Sequence, residues 1–141
     1  MIRLISSNIY VNTWIFKIDD ELNGRGHASI DVQEIKAVME LRRRQVEMTQ
    51  PIRDKLKLVI ERAVAKKVFI AHPCLYRSWK EYLERFCKIG GVIEAAPYCS
   101  PAKISMPSIA FLIEPSGNIK LIGSFDRIEA TRYVNAGCFF P

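Results

Sequence analysis

The chain has 141 residues, 49% of them hydrophobic and 26% charged, with a formal net charge of +6. That length can bury a core of its own, and aromatic and β-branched residues spread along the whole chain exclude intrinsic disorder. No apolar run reaches the ~18 residues that span a bilayer. The opening Met1-Ile2-Arg3-Leu4-Ile5-Ser6-Ser7 also lacks a small-residue cleavage site, so neither a membrane span nor a signal peptide is expected.

In chain order, Thr13–Asp19 reads as a strand rich in aromatic and β-branched residues. A polar loop with two glycines, Asp20–His27, follows it. Asp31 and Glu34 have the spacing of a capping box for a first helix, with Ile35, Val38, Met39 and Val46 on one face. Pro51 suits the first turn of a second helix, whose apolar stripe is Ile52, Leu56, Val59, Ile60, Ala63 and Val64. Val68–Ala71 reads as a strand. Ser78 with Glu81 caps a third helix over Trp79–Lys88, and Gly90 is placed to end it. Gly91–Ala96 reads as a short buried strand, and residues 97–107, with three prolines, as a connection. Ile109–Ile113, the turn Pro115-Ser116-Gly117-Asn118 and Ile119–Phe125 make a hairpin. Helices alternating with strands and one late hairpin give an α/β (α+β) class. The apolar, uncharged end at residues 137–141 suggests one domain over 1–141 that is part of a longer protein.

Cys74, Cys87, Cys99 and Cys138 include no C-x-x-C pair, which argues against a zinc site and for buried free thiols in a reducing, cytoplasmic setting. The charge is concentrated. Residues 36–67 hold ten Lys/Arg against Glu40, Glu47, Asp54 and Glu61, while the rest of the chain is balanced. Such a segment either solvates two helix faces or meets an acidic protein partner. No aromatic residue interleaves its charges, so nucleic acid is not the expected partner.

Lys17 lies inside an apolar strand, where an ammonium is costly unless it meets an anion or reaches water. Gly24, Arg25 and Gly26 follow in a loop whose backbone could approach phosphates. The G-R-G string is short, and neither a P-loop nor a Rossmann spacing is present. His27, His72 and Cys74 are catalytic types, yet nothing in the sequence pairs them.

The string from Trp14 to Ala28 resembles the lysine strand and glycine-rich loop of ATP-grasp proteins. It is similar in particular to the branch with pheganomycin-type peptide ligases and IQ-motif-containing protein H. Gly90–Ala95 looks like that family's hinge strand, Phe111–Ile122 like its late hairpin, and Asn135–Pro141 like its Gly-Cys-x-Phe-Pro signature. The resemblance implies a partial ATP-grasp-like fold, a mixed and mostly antiparallel sheet with flanking helices, and a nucleotide held between two subdomains. It implies that Lys17 contacts phosphate, that the loop Gly24, Arg25, Gly26 and His27 covers the phosphates, and that Glu94 lies by the adenine or ribose.

ATP is the cofactor the resemblance implies, with magnesium on acidic side chains of the late hairpin activating a carboxylate as an acyl phosphate. Here the usual ligand positions fall on Ala110, Gly123 and Phe125, none of which binds a cation through its side chain. Asp126 and Glu129 remain as candidate metal ligands. The expectation is therefore a degenerate ATP-grasp-like module with a nucleotide-binding or structural role and little or no ligase activity. Protein partners are expected through segment 36–67, and the likeness to the IQ-motif branch implies a ciliary or flagellar setting. The alternative is an active carboxylate–amine ligase fragment using magnesium.

Overall fold

The computed structural model describes residues 1–97, 107–132 and 134–139, which form two compact units, Met1–Tyr98 and Cys99–Pro141. Residues 98–106 of the connection expected over 97–107, with Cys99, and the terminal Phe140-Pro141 lie outside the described residues.

The first unit is built on a four-stranded antiparallel sheet ordered β3-β2-β1-β4, with β1 Thr13–Ile18, β2 His27–Asp31, β3 Phe69–Ile70 and β4 Gly91–Ala95. Side chains alternate across a strand, so Trp14, Phe16 and Ile18 share one face with their cross-strand partners Ile30 and Ala28. That face meets the apolar stripes of α2 (Lys36–Arg43), α3 (Gln50–Lys67) and α4 (Trp79–Ile89) in one core. It includes Val38, Leu56, Ile60, Val64 and Tyr82, with Ile5 from α1 (Ile2–Ser7). The opposite face carries Ile15, Lys17, His27, Ser29, Val92 and Glu94.

The second and third helices form where the sequence places them. Pro51 sits in the first turn of α3, where its missing N–H leaves no bond unmade. Ser78 Oγ accepts the Glu81 N–H at 3.2 Å, and Glu81 reaches back to the Arg77 N–H at 2.9 Å. Gly90, at φ +98°, ends α4 and hands its carbonyl to the Asp19 N–H.

Five expectations need correction. Asp31 does not cap a helix: it ends β2, and its carboxylate accepts from Thr13 Oγ1 at 2.6 Å. A 3-10 turn over Val32–Glu34 intervenes, and α2 starts only at Lys36. Met39 points outward and is 52% exposed, because α2 is short and buries only Val38 among its own residues. Gly91–Ala95 is a half-exposed edge strand, paired with β1 alone, and not a buried one. Cys74, Cys87 and Cys138 are exposed, not buried. Finally, α1, β2 and a last strand were not anticipated.

The second unit is a three-stranded antiparallel sheet ordered β5-β6-β7, with β5 Pro107–Ile113, β6 Ile119–Thr131 and β7 Val134–Phe139. Its hairpin turns where expected. Gly117 takes φ +84° and donates to the Glu114 carbonyl at 2.8 Å, and the Glu114 N–H donates to the Asn118 carbonyl at 2.9 Å. Both sheets are antiparallel among the described residues, and the α+β class holds.

Candidate functional site

Lys17 and Glu94 meet on the face of the first sheet opposite the core, where Ile15 and Ser29 are buried. Lys17 stands opposite His27 on β2 and Val92 on β4, and Glu94 stands opposite Ile15, one diagonal step away. Long side chains bridge such a diagonal, and the Lys17 ammonium forms an ion pair with Glu94 Oε1. The two side chains are 37% and 41% exposed, so the pair is in reach of solutes. The His27 carbonyl accepts the Ala71 N–H at 2.9 Å, which fixes the strand beside Lys17. Three of the six candidate cofactor residues are thus brought onto one face.

The glycine loop between β1 and β2 is fastened from within. Gly24 takes φ +79° at the end of a 3-10 turn, Leu22–Gly24, a conformation that suits glycine. Gly26 is glycine for lack of room: a Cβ there would lie 2.5 Å from Glu21 Cβ and 3.0 Å from Ile18 Cβ. The Gly26 carbonyl accepts from both the Ile18 N–H (3.1 Å) and the Tyr82 hydroxyl (2.8 Å). The Tyr76 hydroxyl donates to Glu21 Oε1 at 2.9 Å, and Arg25 Nε lies 3.9 Å from Glu21 Oε2. Burial pushes both phenols above the ordinary tyrosine range, and for Tyr76 the neighbouring Glu21 adds to the effect.

Tyr76 and Tyr82 were missed as site residues. They belong to an aromatic stack in which Phe16, Trp79, Tyr82, Tyr76 and Phe86 pack ring to ring at 5.3–6.3 Å. The available signal was the recurrence of aromatics at positions 76, 79, 82 and 86, every three or four residues.

In the second unit Ala110 and Gly123 are direct cross-strand partners, and Phe125 stands opposite Ser108 on the same face. A methyl group, a hydrogen and an aromatic ring offer a hard cation no oxygen. Asp126 pairs with Pro107 and Phe139, which puts it on the other face of the sheet from Ala110 and Gly123. Glu129 stands opposite Asn135, just past a bulge after Ile128. No group of three or more His, Cys, Asp or Glu gathers at metal-binding range among the described residues. His72 and Cys74 lie in the turn leading to Tyr76, where the His72 carbonyl accepts the Leu75 and Tyr76 N–H groups.

The ten cations of segment 36–67 have different employments. Arg42 turns inward, its guanidinium donating to the carbonyls of Ile9 and Val11 and to Asn12 Oδ1. Arg43 and Arg44 both bind Glu40 and hold its carboxyl below the ordinary carboxylate range. Lys57 pairs with Asp54 at 2.9 Å, and Lys67 caps the Glu34 carbonyl at 3.1 Å. The exposed outer side of α3 keeps Lys55, Arg62 and Lys66.

The family described as IQCH-like, ATP-grasp matches residues 1–141. The chain belongs to that family. It is 28% identical over 150 residues to IQ motif-containing protein H of Danio rerio, an alignment covering 99% of this chain and 14% of that protein. The chain therefore spans about one-seventh of the curated relative's length. No solved structure matches. Family membership agrees with the resemblance read from the sequence. No helix among the described residues is long and apolar enough to cross a membrane.

Proposed function

We propose that this IQCH-like ATP-grasp chain is a nucleotide-binding module with little or no ligase chemistry, and that Lys17 is its phosphate contact. The observation that carries this reading is the Lys17–Glu94 pair. A lysine rooted in a core strand presents a part-exposed ammonium on the sheet face opposite the core, paired among the described residues with a part-exposed carboxylate that a polyphosphate can displace. A polyphosphate carries more negative charge than one carboxylate and offers several acceptor oxygens to the same donor. Gly24, Arg25, Gly26 and His27 then stand beside the phosphates, and the released Glu94 turns to the ribose or adenine.

The donor set at the implied magnesium positions does not fit the ion, since Ala110, Gly123 and Phe125 supply no oxygen. An active ligase would need Asp126 and Glu129 to take over. The same reading gives the module protein partners, met through the exposed cations of α3. It carries the cytoplasmic, ciliary or flagellar setting that the IQ-motif branch suggests, which imaging of the tagged protein tests.

Calorimetric titration of ATP, with and without magnesium, tests the reading on the wild type and on Lys17→Ala. Magnesium-independent binding weakened more than about tenfold in Lys17→Ala is expected, the loss of one charge-assisted hydrogen bond. Equal affinity in the two proteins removes Lys17 from the site. Binding that requires magnesium favours the ligase alternative.

A further inference from the structure

The sheet of the second unit has two unlike faces. Cross-strand partners share a face, so Ile109, Phe111 and Ile113 of β5 lie with Ile119, Leu121 and Ile128 of β6 and Phe139 of β7. All seven are between 50% and 72% exposed. On the other face Ser108, Ala110, Gly123 and Phe125 are half-buried, and the charged Lys120 and Arg127 are found there. Asp126 and Glu129 are the charged residues among the paired positions of the apolar face, both toward the end away from the hairpin turn.

We infer that this apolar face is a self-association surface, covered by the same face of a second copy of the chain. Contiguous apolar surface of this kind marks a place of contact in a soluble protein. The area is right for a dimer. Large apolar side chains present on the order of 150–200 Å² when fully open. Seven of them at about 60% exposure offer roughly 700 Å², close to the ~800 Å² each partner buries in a standard interface. From Ile109 to the hairpin turn the paired positions of the face carry no charge with which to select an unlike partner, and an identical apolar sheet complements them. Two such sheets stack about 10 Å apart with interleaved side chains, and a twofold axis lets each copy use the same residues. The inference is independent of nucleotide binding, because none of its residues is a candidate cofactor contact.

Sedimentation equilibrium through the micromolar range tests it on the wild type, on Phe111→Thr with Leu121→Thr, and on Leu112→Thr. Phe111 and Leu121 are cross-strand partners in the centre of the face, and threonine keeps the strand preference. Leu112 lies on the opposite face and serves as the control. The expected result is a wild-type dimer that persists in ~1 M salt, where exposed charge pairs are screened. The double variant should dissociate at least about tenfold more readily, and the control should behave as wild type. If the double variant fails to fold by circular dichroism, Ile109→Lys takes its place. A wild-type monomer overturns the inference, as does open-ended aggregation or a dimer indifferent to these substitutions. A monomer that instead binds phosphatidylcholine vesicles overturns it in favour of a lipid surface.

Discussion

Lys17 on β1 and Glu94 on β4 are joined by an ion pair across neighbouring strands, on the sheet face opposite the core. At this exposure such a pair contributes only about 0.2–1 kcal/mol, little enough for a polyphosphate to overcome. Inorganic tripolyphosphate isolates that competition, since it has no ribose or base for Glu94 to meet. Glu94→Gln is expected to tighten tripolyphosphate binding by up to about fivefold, the equivalent of the pair's worth. Lys17→Ala should abolish it. Titration calorimetry reads both, and weaker binding in Glu94→Gln would show that the carboxylate helps the ligand and does not compete with it.

Glycines near Lys17 are set by contact distance. A Cβ on Gly91 would lie 2.2 Å from the Lys17 carbonyl oxygen and 2.6 Å from Phe86 Cε2, so backbone must move to admit it. Gly91→Ala is expected to cost about 1–3 kcal/mol in urea unfolding and to weaken ATP binding along with it. Gly123, with open space around its Cβ position, is the comparison. Gly123→Ala should change stability by no more than about 0.5 kcal/mol.

The three consecutive arginines give a second internal comparison. Arg42 satisfies two backbone carbonyls and the Asn12 amide oxygen between α1 and β1. Arg42→Ala is therefore expected to lower stability by about 1.5–3 kcal/mol, the worth of hydrogen bonds to a charged donor. Arg44 touches only exposed Glu40, which also has Arg43. Arg44→Ala should fall within about 0.5 kcal/mol of wild type, as surface pairs do. Equal losses in the two variants would contradict this division.

Alkaline pH should expose the role of Tyr82. Burial raises its phenol above the unfolded value of about 10, so the native state keeps a proton that the unfolded chain gives up. The associated stability is fully present below about pH 10 and is lost as pH rises beyond it. Tyr82→Phe should lower stability by about 1 kcal/mol at neutral pH, through the lost bond to the Gly26 carbonyl. It should also flatten the fall in urea midpoint above about pH 10 relative to the wild type. An unchanged slope would place the alkaline transition elsewhere.

Much of this architecture was readable from local chemistry. The Ser78–Glu81 cap, Pro51 and the Gly117 turn depend on residues within a few positions of one another, and each appears where its sequence pattern places it. Lys17 was legible because a cation in an apolar strand needs a partner. The family likeness put Lys17 and Glu94 at one nucleotide site, but their ion pair was not legible, since no local pattern links the two positions. What failed did so for lack of long-range information. Asp31 and Glu34 have the spacing of a cap, but the Thr13 hydroxyl, brought close by the β1–β2 pairing, takes the Asp31 carboxylate instead. Tyr82 and Gly26 lie far apart in sequence, so the bond that pins the loop is invisible until α4 docks.

The position of β1 in its sheet has a consequence for synthesis. One neighbour, β2, follows within a dozen residues, whereas β4 arrives more than seventy positions after its partner. A chain emerging from the ribosome can close the local hairpin at once, but it leaves the other edge of Trp14-Ile15-Phe16 without a strand until residue 95 is out. Any product cut short between α3 and β4 carries that bare apolar edge, the kind that pairs with its neighbours into aggregates. Truncations of this domain should therefore begin or end outside the span from β1 to β4.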